Sequence, residues 1–128
     1  MRMLDSSDLI VTVSQVHGLK MIEASGEIDM SGAEVFRDAI DLARQEPVTI
    51  VSLRDVTYID STGLGILVRE HNRRRDKGGR LLLVLPSAFG PLKVFHITGL
   101  CDSIECFDDV GNAVRSATSE PAPPQVSL

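Results

Sequence analysis

The sequence of 128 residues contains no tryptophan and few other aromatic residues, which make up only 4% of the chain. Proteins that stack bases or sugars need aromatic platforms, so this scarcity disfavours such a function. An excess of basic residues is also missing, because 13 lysines and arginines face 18 acidic residues and give a net charge of -5. Since a phosphate backbone attracts positive charge, the composition argues against direct binding of nucleic acid.

Long hydrophobic runs are missing as well. A helix that spans a bilayer needs about 20 apolar residues, whereas the apolar run at 81–85 stops at Pro86. The first eight residues include Asp5 and Asp8 and lack the apolar stretch of a signal peptide. We therefore expect a cytoplasmic protein that does not contact a membrane.

Cysteine is scarce, with Cys101 and Cys106 as the two examples. In a cytoplasmic protein such residues are usually reduced thiols, so we predict two buried, unreactive thiols, with a redox switch as the alternative. Together with His96 they offer three ligands to zinc, but the C-x-x-C spacing of zinc sites is missing. We predict no metal site and no cofactor.

The apolar residues that are present predict an α/β domain. A chain of this length buries about two-thirds of the surface that its unfolded form exposes, which is enough for a core. Alternating apolar residues over 9–29, with a turn at His17 and Gly18, predict two strands in a hairpin. Apolar runs at 48–53 and 80–85 predict buried strands. A hairpin beside such strands predicts a mixed sheet.

Apolar residues at helical spacing predict helices between these strands. Ser31 and Glu34 have the spacing of a capping box for the first helix. A second helix follows a loop at 54–60, and we interpret its terminal basic cluster as a solvated face. That cluster comprises Arg73, Arg74, Arg75 and Lys77. We predict a short helical or irregular segment that ends at Gly99, then a short edge strand within 103–107 and a last helix that begins at Asp108 or Asp109.

The chain divides into one domain with two flanking segments. We assign 1–8 to an N-terminal extension and 9–117 to the domain. Residues 118–128 are rich in proline and small polar residues, which predicts a disordered tail.

The stretch YIDSTGLG at 58–65 places an acid, two hydroxyls and two glycines between a strand and a helix. A nucleophilic serine needs a nearby base, usually a histidine, and no histidine here has the spacing of a triad. The residues before Ser61 also lack the G-x-S-x-G pattern. Gly63 and Gly65 lack the third glycine of a dinucleotide fingerprint, because Val68 stands in its place. We therefore predict no enzymatic activity.

Ser61 is better suited to accept a phosphate, because the neighbouring glycines leave it open to another protein's active site. A phosphate there has close to two negative charges, and we expect N–H groups of the first helical turn to hold it without loss of the fold. Beside Asp60, the same charges would exclude a bound partner. The alternative is that Asp60 and Ser61 only cap the helix.

Four stretches together resemble a known protein family. They are GEID at 26–29, VTYIDSTGLGILV at 56–68, KGGRLLLV at 77–84 and VFHITGL at 94–100. In this order they are similar to stand-alone STAS domains of the bacterial anti-sigma factor antagonist, or anti-anti-sigma factor, family, over residues 9 to 117. The resemblance implies a STAS-type fold, with a mixed sheet of about four to five strands flanked by about four helices.

The resemblance also implies a partner-switching function. In this family the unphosphorylated antagonist binds an anti-sigma factor that is a serine kinase of the GHKL ATPase type, and thereby releases the sigma factor. Phosphorylation of the serine after the motif aspartate ends that binding, and a PP2C-type phosphatase restores it. This serine is Ser61, with the adjacent Thr62 as the second candidate.

The family's docking face corresponds here to seven residues: Asp29, Asp60, Ser61, Thr62, Gly63, Leu64 and Gly65. Structural roles are the alternative for several of them. Asp29 could supply charge to the first helix, Leu64 could belong to the core, and the glycines could permit close packing against the sheet. The alternative function is a STAS module that binds a nucleotide or lipid, or scaffolds a larger regulatory or transporter assembly. For both functions we expect the protein to be a monomer or a weak dimer.

Overall fold

The structure is a computed structural model that describes residues 1–119. Over this range it contains, in chain order, strands β1 (Arg2–Ser6), β2 (Leu9–Val16) and β3 (Leu19–Ile28), helix α1 (Ala33–Leu42), strand β4 (Val48–Ile59), helix α2 (Ser61–Asp76), strand β5 (Arg80–Val84), helix α3 (Phe89–Thr98), strand β6 (Glu105–Phe107) and helix α4 (Val110–Thr118). A 3₁₀ turn at Leu100–Asp102 precedes β6. The tail predicted for 118–128 lies outside the described residues from 120 onwards.

The strands form one mixed sheet in the order β1-β2-β3-β4-β5-β6. β1, β2 and β3 are antiparallel neighbours, whereas β3, β4, β5 and β6 run parallel. This confirms the α/β fold with a mixed sheet, but the sheet has six strands rather than four to five. The additional strand is β1, within the segment assigned to an extension, and its Leu4 packs against the core.

The predicted hairpin turn is present between β2 and β3. His17 and Gly18 both have positive φ angles, 52° and 78°, and Val16 pairs with Leu19 across the turn. Two consecutive residues with positive φ give the tight turn that matches the twist of the flanking strands.

Helices cover the two faces of the sheet unequally. The larger core contains buried residues of α1, α2 and α3, among them Phe36, Leu67 and Phe95. The smaller core, on the other face, contains Ala113 of α4 packed with residues such as Ile50. Burial of each large apolar side chain contributes about 1.5–3 kcal/mol, so the larger core fixes α1 and α2 against the sheet.

Strand β4 is longer than predicted, because residues 54–59 extend it instead of forming a loop. The polar residues in this half obscured the strand pattern, since only Val56 and Ile59 are buried. Backbone pairing with β3 continues nevertheless, and its last pair joins Ile28 to Ile59. β4 therefore ends level with β3.

The predicted capping box of α1 is wrong. Ser31 does not cap the helix, because its hydroxyl donates to Oδ1 of Asp29 over 2.7 Å. The helix begins at Ala33, and Gly32 in the capping position makes no side-chain hydrogen bond. Asp29 supplies the acceptor that the sequence pattern had assigned to Ser31.

The interpretation of the basic cluster as a solvated face is wrong for Arg74, which is only 2% exposed. Its guanidinium donates to Oε2 of Glu70 over 2.6 Å and to the carbonyl oxygens of Ala43 and Glu46 over 2.8 Å each. Arg74 thus satisfies carbonyl groups that follow α1, and it ties α2 to that segment.

Protonation of Glu70 makes the free energy of unfolding depend on pH. Its burial alone raises the pKa, but hydrogen bonds from Arg73 and Arg74 outweigh burial and hold the pKa of Glu70 below its ordinary value of 4.5. A carboxyl whose pKa is lower in the folded state stabilises the fold above its unfolded pKa, and this contribution disappears as the pH falls through the folded pKa. We expect the free energy of unfolding to decline on acidification below pH 5, and to decline less steeply in Glu70→Gln.

Urea titrations between pH 3 and 7 measure this effect. Glu23→Gln is the matched control, because Glu23 is exposed on β3. Its removal should leave the pH dependence of the free energy of unfolding unchanged. Glu105, whose pKa is lowered by a hydrogen bond from Arg80, accounts for part of the pH dependence that remains in Glu70→Gln. If the free energy of unfolding changed equally with pH in Glu70→Gln and in the wild type, the prediction would be contradicted.

The cysteines differ from the expectation of two reduced thiols. Cys101 and Cys106 form a disulfide, and their Cα atoms are 5.5 Å apart, within the range that a disulfide bridges. The 3₁₀ turn and β6 bring them together although five positions separate them in sequence. The bond also removes both sulfurs from the zinc ligand set considered with His96.

Candidate functional site

Two acidic residues follow neighbouring strands at one edge of the sheet. Asp29 comes directly after β3 and Asp60 directly after β4, and these parallel strands end in register. The Asp60 backbone N–H donates to the carbonyl oxygen of Ile28 over 3.2 Å, which extends the pairing to the site. The sheet therefore brings together two predicted site residues that are 31 positions apart in sequence.

Asp60 caps helix α2. Its Oδ1 accepts hydrogen bonds from the backbone N–H groups of Thr62 and Gly63, over 2.9 and 3.2 Å. Its backbone oxygen accepts from the N–H of Leu64 over 3.0 Å. The expectation that first-turn N–H groups would hold a phosphate is therefore wrong for these three groups, because Asp60 already occupies them.

Asp29 fixes the start of α1 in a similar way. Its Oδ1 accepts from the backbone N–H groups of Ser31 and Gly32, over 3.0 and 3.2 Å, and from the Ser31 hydroxyl. The hydrogen bond from the Ser31 side chain is the main cause that lowers the pKa of Asp29. Asp29 is therefore ionised at neutral pH and places a negative charge at the site. A charge near the start of α1 is also the structural role considered for Asp29.

Ser61 is the first residue of α2, and its side chain is exposed. Over residues 1–119 no hydrogen bond to its hydroxyl is observed, so the group is free to react. Thr62 is half-buried and is thus less accessible than Ser61.

The two glycines differ in their surroundings. Gly63 is buried, and a Cβ atom built on it would lie 2.7 Å from Cγ2 of Ile28 and 2.8 Å from Cγ1 of Ile59. At Gly65 the nearest atom to such a Cβ is Nη1 of Arg69, at 3.6 Å. Close packing against the sheet therefore requires glycine at 63, whereas an alanine fits at 65.

Leu64 has both of the roles considered for it. Its side chain packs against the larger core, yet the residue is only half-buried. Part of its surface is therefore available at the start of α2.

Two large exposed apolar residues near the site were not predicted from the sequence. Met30, next to Asp29, is 78% exposed, and Tyr58, two residues before Asp60, is 49% exposed. A shallow cavity of about 220 Å³ is lined by Tyr58 and Ile59 of β4 and by Pro91 and Val94 of α3. Exposed apolar side chains around polar groups are typical of protein docking surfaces. Their signal in the sequence is weak, because isolated apolar residues are common on surfaces.

Residues 1–119 lack two features that would indicate other kinds of site. No helix in this range is long and apolar enough to cross a membrane. The same residues contain no group of three or more histidine, cysteine, aspartate or glutamate side chains placed to hold a metal ion.

Comparison with known proteins identifies the family. The model of the STAS domain matches residues 11–113. An anti-sigma-B factor antagonist of Bacillus subtilis is 38% identical over 96 residues, which cover 74% of this chain and 87% of that protein. The chain therefore belongs to the STAS domain family, in the group of anti-sigma factor antagonists.

Solved structures show the same fold. The crystal structure of an anti-sigma factor antagonist from Mycobacterium paratuberculosis superposes with a TM-score of 0.79 at 24% identity, over 91% of this chain and all of that one (100%). SpoIIAA in its unphosphorylated form gives a TM-score of 0.68 at 22% identity, over 84% of this chain and 95% of that one. SpoIIAA of Bacillus has also been solved in its phosphorylated form, with a TM-score of 0.62.

Proposed function

We propose that this protein is an anti-sigma factor antagonist that binds its anti-sigma factor through the surface around Ser61, and that phosphorylation of Ser61 ends this binding. The observation that supports the proposal most directly is the exposed, unbonded hydroxyl of Ser61 at the start of a rigidly capped helix. The docking surface comprises Ser61 with Asp29, Asp60, Thr62, Leu64 and Gly65, bordered by Met30 and Tyr58. Gly63, which was also predicted to belong to it, is buried and supports this surface from beneath.

The geometry explains why a phosphate would act on the partner and leave the fold intact. Ser61 is exposed, and its hydroxyl makes no hydrogen bond within residues 1–119, so the modification needs no rearrangement of α2. The phosphate adds close to two negative charges beside the carboxylates of Asp29 and Asp60. Like charges placed together at an interface cost several kcal/mol, and each 1.4 kcal/mol lowers affinity about tenfold. A partner that fits the uncharged hydroxyl therefore dissociates.

The proposed partners follow from the family resemblance. The anti-sigma factor is a serine kinase of the GHKL ATPase type, and a PP2C-type phosphatase removes the phosphate. The antagonist itself needs no catalytic residue, because both enzymes act on it. The proposal places the protein in the cytoplasm, where reducing thiols would act on the disulfide between Cys101 and Cys106.

Phosphorylation in vitro tests the proposal. Purified protein is incubated with its candidate anti-sigma kinase and ATP, and the modified residue is mapped by mass spectrometry. We expect a single phosphate on Ser61, complete loss of phosphorylation in Ser61→Ala, and normal phosphorylation in Thr62→Ala, because only Ser61 is fully accessible. Phosphorylation of Ser61→Ala to the level of the wild type would refute the assignment.

A further inference from the structure

Ser61, Gly65 and Arg69 form a line along helix α2. They are spaced four residues apart, and residues at this spacing lie one above the other on a helix surface. Long helical side chains extend toward the N-terminal end of their helix. The Arg69 guanidinium does so here, since its Nη1 and Nη2 atoms lie 3.6 and 3.8 Å from the position of a Cβ on Gly65. The cation therefore lies about one turn from Ser61.

Arg69 is the cation of this helix that lacks a partner near the site. Arg73 and Arg74 both form ion pairs with Glu70, and Arg75 lies 3.9 Å from Asp76. Arg69 is exposed, and within residues 1–119 no carboxylate lies within salt-bridge distance of it. Its guanidinium therefore retains all of its hydrogen-bond donors.

The first turn of α2 offers a phosphate on Ser61 few donors besides the N–H of Ser61 itself, for which no acceptor is observed within residues 1–119. The N–H groups of Thr62, Gly63 and Leu64 are bound to Asp60, and the Asp60 carboxylate repels an added anion. Side chains one turn apart have Cβ atoms about 5–6 Å from one another. The Cβ atoms of Ser61 and Arg69 are two turns apart, but the guanidinium lies beside position 65, one turn from Ser61. The phosphoryl group, which extends beyond the Cβ atom of Ser61, can therefore meet it.

We propose that Arg69 binds the phosphate of phosphorylated Ser61 across the open position at Gly65. The inference rests on the proposed phosphorylation of Ser61 and deepens it. The guanidinium N–H groups donate to phosphate oxygens, which is a favoured pairing of planar donor and anion. Gly65 keeps the path between them clear, because any side chain longer than alanine would occupy it.

This contact would alter the docking surface in two ways. Phosphorylation adds negative charge at Ser61 and also draws Arg69 onto the backbone of the first turn. The start of α2 is exposed in the unphosphorylated protein. After phosphorylation, the ion pair between the phosphate and Arg69 would cover it. Loss of the Arg69 contact should therefore leave the phosphate more mobile and more easily protonated.

Phosphorus NMR tests the inference directly. Phosphoserine is installed at position 61 during translation, and its ³¹P resonance is followed as a function of pH. We expect Arg69→Gln to raise the second pKa of the phosphate by about 0.3–0.6, a two- to fourfold gain in proton affinity, because a nearby cation favours the dianion. Arg69→Lys retains the charge and should keep part of the effect. Equal pKa values for wild type and Arg69→Gln would overturn the inference.

Two further arginine variants separate a direct contact from a general charge effect. Arg75→Gln makes the same change on the same helix, roughly 21 Å from Ser61 along the axis at 1.5 Å per residue, and should leave the pKa unchanged. Arg37 lines the same groove of about 330 Å³ as Arg69. A shift in Arg37→Gln as large as that in Arg69→Gln would show that the phosphate senses the groove as a whole, which would also overturn the inference.

A second spectrum distinguishes binding from a structural role. In ¹H–¹⁵N spectra the Arg69 Nε–Hε resonance should move downfield when Ser61 is phosphorylated, while circular dichroism of Arg69→Gln stays that of the wild type. Because phosphoserine is installed without a kinase, these measurements stand even if the kinase test fails. Conversely, normal phosphorylation with no contribution from Arg69 would refute this inference alone.

Discussion

Ser61→Glu is expected to weaken binding to the anti-sigma factor at least about tenfold, without lowering the stability of the protein. The new carboxylate lies beside those of Asp29 and Asp60, and like charges at an interface cost several kcal/mol. Its effect on the fold is small, because Ser61 is exposed and an acidic residue in the first turn of a helix interacts favourably with the helix dipole. Isothermal titration calorimetry measures the affinity, and urea unfolding measures the stability.

Two variants serve as controls for this prediction. Ser61→Ala removes the hydroxyl without adding charge, so it should bind nearly as the wild type does. Ser103→Asp adds the same charge at an exposed position before β6, at the opposite edge of the parallel strands, and should also leave binding unchanged. Unaltered affinity of Ser61→Glu would argue against exclusion by charge. Because glutamate has one charge and two oxygens, full phosphorylation should have the larger effect.

Gly63→Ala is expected to destabilise the protein by about 2 kcal/mol, near the middle of the range for overpacked sites. A methyl group at this position would lie 2.7 Å from Cγ2 of Ile28 and 3.2 Å from the Ile28 carbonyl oxygen. Ile28 and Ile59 are both buried and cannot move aside freely. The start of α2 must then shift away from the strand ends, which also displaces Ser61.

Gly65→Ala is the matched control, since it makes the same change two residues later. Here the methyl group meets only the flexible Arg69 side chain at an ordinary contact distance. Alanine is favoured over glycine within a helix by roughly 1 kcal/mol, so this variant should be as stable as the wild type or more stable. Urea unfolding of the two variants measures the difference, and equal stabilities would contradict the proposed close approach at Gly63.

The sequence predicted the elements whose signals are local. The turn at His17 and Gly18 follows from residues that tolerate positive φ. Strand β5 and helix α2 follow from an apolar run and from helical spacing, each bounded by glycine or proline. The DSTGLG motif at 60–65 indicated both the family and the candidate site, because its order of residue types is specific.

Features that depend on distant partners were missed. β1 looks like a polar extension until β2 pairs with it, and the polar second half of β4 is a strand because β3 supplies its hydrogen bonds. Arg74 resembles its exposed neighbours in sequence, yet Glu70 and the carbonyl groups after α1 surround it. The proximity of Cys101 to Cys106 similarly depends on the course of the 3₁₀ turn and β6.

By itself, the sequence determined that a reactive hydroxyl begins a helix, next to an acid and two glycines, in an acidic α/β domain. Only the tertiary structure decided how that hydroxyl is surrounded. The parallel pairing of β3 with β4 brings Asp29 level with Asp60, Asp60 occupies the N–H groups of the first turn, and Gly63 fits against Ile28 and Ile59. The Asp60 cap is local and was already one of the two roles considered for this residue. The pairing of β3 with β4 and the packing of Gly63 against Ile28 join residues far apart along the chain, so local pattern and propensity contain no information about them.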